Sequence, residues 1–106
     1  DDALQIYRTL SADKSDAVGA EAAYHIIRYH FDAAEHDTAE KLVYELADSK
    51  TQHSYYLGRA FIILGDIYAA KGDAFQARAT YQSIIDGYTP TDDGVVEEAK
   101  QRIEKL

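Results

Sequence analysis

The sequence predicts an all-α fold in which antiparallel helix pairs stack as a helical-repeat solenoid, and three observations carry that expectation. One pattern recurs three times, as Ala3-x-x-x-Tyr7-x-x-Leu10, Ala39-x-x-x-Val43-x-x-Leu46 and Ala77-x-x-x-Tyr81-x-x-Ile84, with its alanines almost evenly spaced. A small residue, a large one a turn later and an aliphatic one after that describe a helix pressed closely on a neighbour, and recurrence at this period marks a repeat array. The chain has one proline, Pro90, and six glycines that mostly sit where helices would end, so long helices are permitted. Alanine is abundant and runs of Val, Ile and Thr are scarce, which favours helix over strand.

Six helices follow in order, over residues 1–11, 16–33, 37–48, 54–71, 74–87 and 93–105. The first reads as the second half of a repeat whose first half is missing, so the chain reads as a single domain over 1–106 cut from a longer protein. Ser15 or Asp16 is suited to cap the second helix. Asp37-Thr-Ala-Glu40 and Asp73-Ala-Phe-Gln76 are capping-box candidates for the third and fifth. In the fourth, Phe61, Leu64, Gly65 and Tyr68 form one face, and Ala23, Ile26, Ile27 and His30 hold the matching places in the second. Gly72 and Gly87 suit helix C-termini. Asp93 is placed to cap the last helix, whose Glu97 and Glu98 at the start and Arg102 and Lys105 at the end suit the helix dipole. Its Val96, Ala99 and Ile103 share one side, opposite a charged face, as in a helix that closes an array.

Taken together, these segments resemble the tetratricopeptide repeat family over essentially the whole chain, most specifically across residues 61–84, where Phe61-x-x-Leu64-Gly65-x-x-Tyr68, Gly72-Asp73 and Ala77-x-x-x-Tyr81 stand in order. The spacing and the aromatic-rich run from Ala77 to Tyr88 are similar to repeats of bacterial cell-envelope proteins, which implies an envelope or periplasmic setting. Those repeats end in Tyr-Pro, whereas here Pro90 stands two residues after Tyr88. The resemblance implies a right-handed solenoid of about two and a half repeats plus a C-terminal capping helix. It also implies a concave groove, lined by the first helix of each pair, that binds a peptide or protein without catalysis.

By phase, the groove-facing residues would be Tyr24, His25, Arg28, Phe31 and Asp32 in the first repeat. In the second they would be Ile62, Ile63, Asp66, Ala69 and Ala70. Family members that grip a peptide carboxylate use Lys and Asn at such places, where this chain has Ile63, Asp66 and Ala70; a mixed apolar and acidic groove is expected instead. Tyr55 and Tyr56 lie off the core phase and are further contact candidates, since aromatic anchors are typical hot spots. Tyr7, Tyr68 and Tyr81 fall at packing phases. Arg28 and Asp32, four apart, can also pair with each other. The rival reading is a structural spacer or self-association segment, with Ile6 and Leu10 partly uncovered at the open N-terminal end.

Other chemistries find little footing. With 19 acidic against 11 basic residues and a formal charge of −8, the chain lacks the clustered cations that nucleic acid or an anionic membrane would need. There is no cysteine, hence no disulfide or thiolate site, and no apolar run approaches the ~18 residues of a membrane span. The four histidines (His25, His30, His36, His53) do not form a His-Glu-x-x-His pattern, and His25 and His30 lie on different helix faces, so neither a metal nor another cofactor is expected. No glycine-rich phosphate loop exists, and Ser11, Ser15, Ser49, Ser54 and Ser83 lack the strand-turn-helix setting of a nucleophile. Asp92-Asp93 and Glu97-Glu98 read as solvated pairs, not enclosed ones.

Overall fold

The computed structural model describes residues 2–10, 17–49, 54–88 and 93–106, without the side chains of Asp2, Tyr7, Leu10 and Ala17. All regular structure among them is helical: α1 (Asp2–Leu10), α2 (Ala17–Asp32), α3 (His36–Asp48), α4 (Ser54–Ala70), α5 (Ala74–Gly87) and α6 (Val95–Glu104). Each helix begins and ends within two residues of the limits read from sequence. The expected caps at Ser15 or Asp16 lie outside the described residues.

Each helix packs on the next in the chain, and α4 additionally touches α2 and α6. Among the described residues, α1, α3 and α5 make no close backbone approach to one another. The helices therefore form two layers, α2–α4–α6 and α1, α3, α5. The recurring faces of α3 and α5 are the buried ones: Ala39, Val43 and Leu46 are fully buried, as are Ala77 and, nearly so, Tyr81 and Ile84. Each alanine lets a neighbouring backbone approach while the larger residues fill the space beside it. In α1 the phase differs, because Ala3 is exposed and Leu4 is buried.

α4 carries both halves of the core. Its Ala60, Ile63, Leu64 and Ile67 join Ala23, Ile27, Val43 and Leu46 in one cluster, and its Ile62 joins Tyr81, Ile84, Val95 and Ala99 in the other. A helix apolar on nearly every side must be covered on every side, and α4 is flanked by α2, α3, α5 and α6. Two glycines make that coverage possible. A Cβ on Gly65 would lie 2.2 Å from the Tyr81 ring, and one on Gly58 would lie 2.6 Å from Tyr88 and 3.0 Å from Val95. These are places where only a backbone fits.

The α2–α3 and α4–α5 turns are copies. The amide of Ala34 donates to Phe31 and that of Glu35 to His30, as Gly72 does to Ala69 and Asp73 to Tyr68. This double bond pattern is the Schellman helix ending, which sets its central residue in the left-handed region. Gly72 takes φ 81° and Ala34, at the matching place in the preceding helix pair, takes φ 60°. Asp73 caps α5 by accepting from the Gln76 amide at 3.0 Å. The other capping box does not form: α3 starts a residue earlier, behind Glu35, and Asp37 turns to Lys71 instead. Asp93 does accept from the amide of Val95, at 3.1 Å, with Gly94 between them. Gly87 ends α5 without left-handed geometry, and the chain leaves through Tyr88 in an extended conformation.

Candidate interaction surface

The layer α2–α4–α6 is the face on which sequence phase places the contact residues, and its side chains divide into two sets. Toward α6 the polar groups are consumed within the molecule. Arg59 of α4 binds Glu98 of α6, Glu98 binds Arg102 at 3.2 Å, and Arg102 binds Asp66 at 3.1 Å. The Tyr81 hydroxyl donates to the same Asp66 carboxylate. Burial foremost, then that bond to Asp66, pushes the Tyr81 hydroxyl well above the ordinary tyrosine range. For Arg102, burial lowers the guanidinium, but Asp66 and Glu98 outweigh it and the net shift is upward. Charges bound to each other on adjacent helices fix the register of α6 on α4 as well as holding it there.

This corrects part of the groove assignment. Ile62 is 2% exposed and lies in the core beneath α5 and α6, and Ile63 is 3% exposed in the other core cluster. Neither is available at a surface. Asp66 is three-quarters or more buried at its side chain and already holds Arg102 and Tyr81. α5 and α6 cover Ile62, α6 reaches Asp66 through Arg102, and Ile63 packs with α2 and α3, so this part of the face is closed from more than one side. Ala69 and Ala70, by contrast, are both open to solvent.

Toward α2 the surface stays open. Tyr24 and Phe31 are half-buried, each with part of its ring against the core. Phe31 sits 5.6 Å from the His36 ring across the turn. Arg28 and Asp32 are exposed and pair with each other at 3.4 Å, an arrangement worth about 0.3–0.5 kcal/mol on a helix surface. Tyr24 stands 5.4 Å from His25 and 6.2 Å from Tyr56, which in turn stands 5.3 Å from Tyr55. Four rings from α2 and the first turn of α4 thus adjoin one another. The Tyr56 hydroxyl donates to Glu21 at 2.9 Å, and that bond is the main reason its ionisation is shifted upward. Arg59 is held by Glu98; burial pulls its guanidinium down, but the neighbouring Tyr24 hydroxyl and the charge of Glu98 raise it overall.

The pairings of Arg59, Glu21 and Glu98 are not foreseen from the sequence. Glu98 and Arg102 stand four apart on α6, a spacing visible in the chain, but their partners on α4 depend on how two helices distant in sequence are aligned. His53 lies outside the described residues, and no group of three or more His, Cys, Asp or Glu among those described could hold a metal ion. No helix is long and apolar enough to cross a membrane among the described residues. A separate cleft of about 420 Å³ lies between the first half of α4 and the end of α5, lined by Leu57, Gly58, Phe61, Ile84 and Tyr88, with Ser54 and Ser83 at its polar points. Comparison with protein-family models, with curated proteins and with solved structures gives no match to this chain.

Proposed function

We propose that this chain is a tetratricopeptide-type interaction module, non-catalytic and without a cofactor, in which a right-handed stack of helix pairs offers the α2–α4–α6 layer as a concave surface to a protein or peptide. The observation that supports this reading most is the duplicated turn: two successive helix pairs end their first helix in the same pair of Schellman bonds. Among described helices that are not consecutive in the chain, only α2 with α4 and α4 with α6 approach closely, which accords with that layer being the inner one of a curved stack. The open part of the surface is then the α2 end, with Tyr24, His25, Arg28, Phe31 and Asp32 joined by Tyr55 and Tyr56. Held on packed helices, these side chains need little further ordering to bind.

The test is capture from an extract of the protein's own source by the purified chain, beside the variant Arg28→Glu/Tyr55→Ala. Both positions are exposed, so the variant keeps its helical circular dichroism. A partner retained by the parent and lost by the variant supports the surface; retention indifferent to the change counts against it. A spacer or self-association segment is the alternative, favoured by Ile6 at 58% and Val18 at 55% exposure near the α1 end. That alternative predicts a concentration-dependent mass abolished by Ile6→Lys.

A further inference from the structure

We propose that the ring cluster of Tyr24, Tyr55 and Tyr56, together with the Glu21 carboxylate, receives a cationic side chain, arginine or lysine, from the partner peptide. The inference rests on the interaction-surface reading and names the chemistry of what that surface takes. It follows from which charges remain after internal pairing. On this layer Arg28 is matched by Asp32, and Arg59 and Arg102 are matched by Glu98 and Asp66. No ion pair joins Glu21 to a lysine or arginine among the described residues; the bond that it accepts from the Tyr56 hydroxyl neutralises nothing.

Glu21 is exposed and stands one helical turn before Tyr24 on the same face of α2, so the carboxylate and the rings flank one surface. Tyr55, 43% exposed, carries that surface to solvent. An aromatic face attracts a cation through its quadrupole, and a carboxylate beside it supplies the counter-charge. Arg59 does not fill this role from within, because its guanidinium is bound to Glu98. The formal charge of −8 adds long-range attraction for a basic segment and discourages an acidic one.

The probe is a blocked heptapeptide alternating glycine and arginine, titrated while the tyrosine ring resonances are followed by NMR, beside its glutamate counterpart. The arginine peptide is expected to bind about tenfold more tightly than the glutamate one, with Glu21→Gln and Tyr55→Ala each weakening it about threefold. Glu45→Gln removes the same charge from an exposed site on α3 and is expected to leave binding unchanged. Equal weakening by Glu21→Gln and Glu45→Gln would reduce the effect to diffuse attraction and overturn the proposal. So would equal affinity for the two peptides, or no binding of the arginine peptide. Should the extract partner still be captured in a Tyr55-dependent way while the arginine peptide fails, the interaction surface stands and only its cationic ligand falls.

Discussion

The α2–α3 and α4–α5 pairs share a turn and a register, yet they fill their helix interfaces in different ways. At matching positions of the two pairs, the first opposes Ile27 to Val43 and the second opposes Gly65 to Tyr81. Two medium side chains meet in one; in the other a ring crosses over a bare backbone. The first arrangement only fills volume. The second also carries a hydroxyl through the interface to Asp66, where it meets Arg102 of α6. One backbone plan thus gives a plain joint in one pair and, in the next, a joint whose packing residue also anchors the closing helix.

The largest way to break this contrast is Gly65→Ala. The new methyl would fall 2.2 Å from a rigid, buried ring, so the ring or the helix must move, at a cost of about 1–3 kcal/mol. Denaturant unfolding of Gly65→Ala, Tyr81→Val and the double variant measures the coupling. The double variant, which makes the second joint resemble the first, is expected to lose less than the two singles together. Strict additivity would mean that the ring and the glycine do not depend on each other.

Alkaline pH distinguishes the same two joints by chemistry. Tyr81 and Tyr88 hold their protons beyond the ordinary tyrosine value of 10.0, chiefly through burial, then through bonds to Asp66 and Asp93; Tyr68 does so first through its bond with Tyr44. A folded-state value raised above the unfolded one leaves stability intact below pH 10, then costs stability as the unfolded chain ionises first. The unfolding midpoint should therefore fall as pH rises above 10, and Tyr81→Phe/Tyr88→Phe should flatten that fall. An unchanged slope in the double variant would place the alkaline sensitivity elsewhere.

The turns can be exchanged as well. Ala34 occupies a left-handed position that Gly72 fills without a Cβ, and an L-residue there is disfavoured by about 1–2 kcal/mol. Part of that is returned by the greater freedom of glycine in the unfolded chain, so Ala34→Gly is expected to stabilise by about 0.5–1 kcal/mol and Gly72→Ala to destabilise by a similar amount. Thermal unfolding of the two variants reads both signs. If Ala34→Gly is neutral, the His30 contact with Glu35, 3.0 Å between Nδ1 and Oε1, holds that turn strongly enough to mask the backbone preference.

What the sequence disclosed follows from how local each signal is. Helix limits were legible because caps, glycines and apolar period act within a turn or two. The buried faces of α3 and α5 were legible for the same reason, through alanine and its partners one and two turns on. Ile62 and Asp66 were misplaced because phase states which way a side chain points from its own helix and not what packs over it. A clue was present: Ile62, Ile63 and Leu64 in succession make α4 apolar on several sides, which is the mark of a covered helix. The Arg59–Glu98–Arg102–Asp66 chain had no such clue, since it depends on the alignment of α4 against α6.

The smallest effect expected lies where α3 meets α4. Lys71 reaches Asp37 at 2.6 Å and Glu40 at 3.2 Å, and Tyr68 donates to Glu40 at 3.0 Å while sharing a hydroxyl bond with Tyr44. The bond from Lys71, then its charge, holds the Asp37 carboxyl below its ordinary value of 3.8. A depressed folded-state value gives stability that is present above 3.8 and lost as pH falls through the lower folded value. Asp37 is almost wholly exposed at its side chain, so solvent and salt screen the pair and its contribution is slight. Asp37→Asn should therefore leave stability near neutral pH almost unchanged and remove only a shallow part of the acid-side decline, a part that salt should also erase in the parent. A large loss at neutral pH would show that Asp37 orients Lys71 for Glu40, making the three groups and Tyr68 one cooperative seam between the two helix pairs.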